Sequence, residues 1–122
     1  MRAVPGLHDD APYPKGLVMT WILLFSAAAF EIVWALALKA SDGFTKLAPT
    51  LLFAVGIVAS MVLLALAMRQ LAVGTAYAVW TGTGAVGAAL AGIALFGDEA
   101  SASRLAAIAL VATGVVWLAL SE

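Results

Sequence analysis

Residues Thr20 to Lys39, TWILLFSAAAFEIVWALALK, form an apolar stretch whose interior holds one charge, Glu31, near its middle. About 20 residues at 1.5 Å each match the roughly 30 Å hydrocarbon core of a bilayer. An ionised acid at that depth costs about 2.5 kcal/mol or more, so an acid found there is by default a site for ions, protons or substrate. The rest of the chain is read as housing for it.

With 122 residues, 65% of them hydrophobic and 11% charged, and a mean hydropathy of +1.10, the chain has the composition of a membrane protein. It is long enough for one domain but too short to enclose a transport pathway alone, which points to an oligomer. The absence of cysteine excludes disulfides, thiolate metal sites and cysteine nucleophiles. A net charge of -1 excludes a nucleic-acid footprint.

Residues 1–18 hold Pro5, Pro12, Pro14, the Asp9–Asp10 pair and His8, with no apolar period, and are read as a disordered tail before a membrane domain over residues 19–122. Lys15, the run Leu17 to Phe25 and the small residues Ser26 to Ala29 imitate a cleavable signal peptide. A cut after Ala29 would leave a stub too short to span, so the segment is read as retained, with Met19 an alternative start.

Three further spans follow, giving an all-α membrane protein with four transmembrane helices per chain. Lys39 to Lys46 is a polar turn built on Asp42 and Gly43, and Pro49 fits the first turn of a helix over about Ala48 to Met68. Gly56 and Ser60 lie four apart on that helix, a spacing that admits another helix closely. The third span, about Gly74 to Phe96, carries Gly82, Gly84, Gly87 and Gly92. Gly84, Ala88 and Gly92 make a column of small side chains, and Gly82, Gly84 and Gly87 serve either close packing or a conformational hinge. Ser101 or Ser103 caps the fourth span, about Arg104 to Leu120, whose Gly114 and alanines suggest a surface for joining subunits.

An even number of spans puts both termini on one side. Arg2, Lys15 and Arg69 then face Lys39, Lys46 and Arg104, three against three, and the lysine and arginine bias that orients membrane proteins is missing. Monomers are therefore expected to insert both ways up and to pair antiparallel, an inverted repeat made from two chains. A start at Met19 would leave one against three, a mild bias.

On the first helix Ala27, Glu31, Trp34 and Leu38 share a face, and on the third Tyr77, Trp80 and Gly84 share another, with Ser60 of the second helix at comparable depth. A carboxylate beside indole and phenol rings suits an organic cation: the acid supplies charge, and ring faces add about 2 kcal/mol or more of cation–π attraction when desolvated. Proton and cation then compete for one acid, and import of one drives export of the other. Taken singly, Trp34, Tyr77, Trp80 and Ser60 fit packing equally well, and Glu31 has a structural alternative as an acid bonded to a neighbouring hydroxyl. Trp21 and Trp117 read as interfacial anchors, and Lys39 as a side chain that reaches to the interface.

Phe30 to Thr50, FEIVWALALKASDGFTKLAPT, and Val73 to Ala88, VGTAYAVWTGTGAVGA, resemble the small multidrug resistance family, over about Met19 to Leu120. The resemblance implies a proton-coupled exporter in the bacterial plasma membrane, a dual-topology homodimer with the first-helix glutamates of both subunits in one pocket. It assigns proton and substrate binding to Glu31, pocket lining to Tyr77 and Trp80, and the network that holds the glutamate to Ser60 and Trp34. Trp34 followed by Ala35 is similar to the guanidinium exporter subtype, where the drug-exporting branch has a small residue in place of Trp34. A second indole narrows the pocket toward a small planar hydrogen-bonding cation.

The chain departs from that subtype at Ala28, Ala72 and Ala119, where glycine, proline and lysine are usual. Two alternatives therefore stand beside guanidinium export: efflux of hydrophobic quaternary ammonium drugs, or service as one chain of a heterodimer. A rotor-type proton-carrying subunit also buries one acid, but four spans and the aromatic set argue against it. An enzyme, a metal site or an organic cofactor is not expected, since His8 lies in the tail and no nucleophile has a base at matching depth.

Overall fold

The computed structural model describes residues 16–121. Of the tail expected over residues 1–18, residues 1–15, His8 included, lie outside them, while Leu17 and Val18 are not tail but the start of the first helix. Four helices follow in order: α1 (Leu17–Ala40), α2 (Leu47–Ala67), α3 (Val73–Phe96) and α4 (Ala102–Leu120). All four are long and apolar enough to cross a membrane, at about 29 to 36 Å each. Helices satisfy their own backbone amides, which hydrocarbon cannot do.

The ends are set by local chemistry. α1 begins at Leu17, three residues ahead of Thr20, behind Gly16 at φ 80°. Thr20 helps close that first turn by donating its hydroxyl to the Gly16 carbonyl at 2.9 Å. Pro49 falls in the first turn of α2, where no helical amide is needed. α3 stops at Gly97 (φ 69°), in the left-handed conformation common at helix ends, and the Gly97 and Asp98 amides both reach back to the Gly92 carbonyl, the latter at 3.2 Å. Of the two candidate caps for α4, Ser101 does the work, accepting the Arg104 amide at 3.2 Å.

α1 packs along α2 and α3, while α4 packs on α3 and buries none of its residues fully. The buried core occupies one end of the bundle: Leu24, Ala27 and Ala28 of α1, Leu64 and Ala67 of α2, Leu71, and Ala76, Val79 and Trp80 of α3. Glu31 lies one turn beyond the last α1 residue of that core. The tight core thus anchors one side of the acid, and its other side is left to less crowded packing.

Candidate functional site

Two faces that the sequence sets on separate helices meet in the fold. A methyl group added at Gly84 would land on the Glu31 carboxylate, and one at Gly87 on the end of the Ile32 side chain. α1 thus sends consecutive side chains into two glycine notches of α3. Gly82 takes Val115 of α4 in the same way. The three glycines of the expected hinge are all occupied as packing notches, and α3 runs unbroken through them.

Glu31 is half-buried, and its Oε1 is shut off from solvent with no hydrogen-bond partner among the described residues. The same is true of Trp34 Nε1, about one turn further along α1. One stretch of α1 thus carries a buried acceptor, facing α3, and a buried donor, on a side chain turned toward α2, with neither satisfied among the described residues. Orphan polar atoms of this kind are rare and point to a ligand, a proton or a further chain.

Ser60 is fully buried. Its Oγ donates to the Ala27 carbonyl at 2.7 Å and accepts from Trp80 Nε1–H at 3.0 Å. One hydroxyl thereby ties α1, α2 and α3 together a single turn below Glu31. Within one chain Ser60 is therefore engaged with backbone and indole, and it makes no bond to the carboxylate. Trp80 is 4% exposed and Tyr77 54% exposed, with ring centroids 5.3 Å apart at 59°. Trp80 is built into the bundle, whereas Tyr77 stands on its outer face.

Trp34 turns toward α2. Position 56 has to be glycine for this, because a Cβ there would come within 2.9 Å of Trp34 Cβ. The indole meets Phe53 edge-on at 5.8 Å and 81°, and Phe53 in turn meets Phe44 at 5.5 Å and 62°. Sequence reasoning missed Phe53 and Phe44. The available signal was Phe53 one turn before Gly56, on the face that admits α1.

Of the subtype departures, Ala28 is fully buried in the core and Ala119 half-buried beside it. Ala72 has a φ of -57°, inside the range that proline itself would impose.

Comparison with known proteins gives concordant matches. The family described as Small Multidrug Resistance protein matches over residues 19–111. The Guanidinium exporter of Escherichia coli strain K12 is 52% identical over 103 residues, which cover 84% of this chain and 98% of that protein. The Guanidinium exporters of Citrobacter freundii and Salmonella typhimurium are each 50% identical over the same shares. These relatives are named as exporters and not as enzymes. With four membrane-length helices and relatives of this kind, the chain is a multi-pass bacterial membrane protein.

Proposed function

Because the chain belongs to the small multidrug resistance family, we propose that it exports guanidinium and small guanidinyl cations in exchange for protons. In this reading it works as an antiparallel, dual-topology homodimer, and Glu31 of both subunits binds proton and substrate competitively.

The single observation that carries the reading is the buried, unpartnered Oε1 of Glu31 against the Gly84 notch. A carboxylate oxygen without a donor in a water-poor site is stable in two ways: it takes a proton, or it accepts hydrogen bonds from a cation. A guanidinium offers planar paired donors that match carboxylate geometry. Tyr77 and Trp80 supply ring faces against which such an ion can lie.

The unpaired Trp34 N–H supports the second copy. Guanidinium has donors only and cannot satisfy another donor. A carboxylate can, and a second copy of the chain would supply one. Neutralising the two acids, by protons or by cation, then permits the change of access. Gly82, Gly84 and Gly87 are the places at which α3 would bend as it happens, once the side chains seated in their notches withdraw.

Solid-supported-membrane currents from proteoliposomes test this reading. Guanidinium and small alkylguanidiniums are expected to give currents that vanish in Glu31→Gln. Larger currents with tetraalkylammoniums than with guanidinium would instead assign the chain to quaternary ammonium efflux.

A further inference from the structure

The first loop is more ordered than a polar turn requires. Ser41 is fully buried, donates its hydroxyl to the Leu38 carbonyl at 2.7 Å and accepts the Phe44 amide at 3.1 Å. Thr45 and Lys46 amides close on the Ser41 carbonyl at 2.9 and 3.2 Å, and the Thr45 hydroxyl bonds the Asp42 carbonyl at 2.8 Å. This network holds three successive residues at positive φ: Asp42 at 50°, Gly43 at 69° and Phe44 at 68°. Asp and Gly visit that region readily, but a bulky aromatic residue there is an outlier.

The outlier delivers a ring. Phe44 sits edge-on against Phe53, and Phe53 edge-on against the Trp34 indole, so an aromatic chain runs from the loop to within a turn of Glu31. The stem of Trp34 is pinned by the close approach of α2 at Gly56. The indole N–H makes no bond that would orient it among the described residues. Besides its packing on the buried core, the indole rests edge-on against Phe53, and Phe53 is braced by Phe44.

We propose that Phe53, braced by Phe44, is a positioning residue that fixes the Trp34 indole beside Glu31 and so sets the size of cation the site accepts. The inference rests on the guanidinium-exporter reading and concerns selectivity, which the aromatic brace controls without touching the cation. Loosening the brace lets the indole swing aside and admits larger ions.

The test is the ratio of apparent affinities for guanidinium and tetraethylammonium in proteoliposome currents, for wild type, Phe53→Leu, Phe53→Tyr, Phe44→Gly and Trp34→Ala. Phe44→Gly removes the ring while leaving a residue that suits positive φ, so the turn is kept. Phe53→Leu and Phe44→Gly are expected to move the ratio about two- to tenfold toward tetraethylammonium, the range that an aromatic pair covers. Phe53→Tyr keeps the ring and is expected to keep the wild-type ratio. Should Phe53→Leu fail to assemble, Phe44→Gly decides the matter alone. A ratio that moves in Trp34→Ala but in neither brace variant overturns the positioning role and leaves the exporter reading intact. A ratio that Trp34→Ala leaves unmoved overturns this inference alone, whereas wild type that does not transport guanidinium sinks the exporter reading and this inference with it.

Discussion

The Glu31 carboxylate occupies the space in which a side chain at position 84 would stand. Gly84→Ala is therefore expected to push the carboxylate out of its notch while the helices stay paired, because only the mobile end of Glu31 has to yield. Overpacking typically costs ~1–3 kcal/mol, which corresponds to about five- to a hundredfold weaker guanidinium binding. Titration calorimetry in detergent measures it. Gly87→Ala, which meets only the flexible end of Ile32, is the comparison and should weaken binding less.

Gly56 is a different kind of notch. A methyl there meets the Cβ of Trp34 at 2.9 Å, with the Trp34 backbone at 3.6 Å, so α1 and α2 must move apart as bodies. Gly56→Ala is expected to lower stability by about 1–3 kcal/mol. Unfolding in mixed micelles reads this directly, and a loss below about 0.5 kcal/mol would contradict the contact.

Ser60→Ala strips the Trp80 indole and the Ala27 carbonyl of a shared partner in a fully buried place. An unpaired buried donor costs about 1–3 kcal/mol. The variant should unfold earlier, and the fluorescence of Trp80, followed in a chain whose other tryptophans are replaced by phenylalanine, should shift as the ring loses its bond.

Much of this was legible in the sequence, and what was not has a physical cause. Four spans could be placed within a few residues because bilayer thickness dictates length, and Ser101 was one of two named caps because the α4 start left only serines to choose from. The meeting of the Glu31 face with Gly84 follows the small-residue column of α3. The brace did not show: it depends on Phe44 taking positive φ, which no propensity favours and which only the hydrogen bonds around Ser41 enforce. The engagement of Ser60 was also hidden, since depth alone does not tell a hydroxyl facing a carboxylate from one facing the backbone a turn away.

The balance of three positive charges on each side predicts mixed insertion. A terminal cysteine tag, probed with an impermeant thiol reagent in intact cells, should label about half of the molecules before lysis and the rest after it. Labelling confined to one side would contradict antiparallel pairing of identical chains.

The central claim is that one acid trades a proton for a cation. Guanidinium added to the detergent-solubilised protein in weakly buffered solution should release protons from the wild type and none from Glu31→Gln. Guanidinium binding without proton release in the wild type, or equal release in Glu31→Gln, would contradict it.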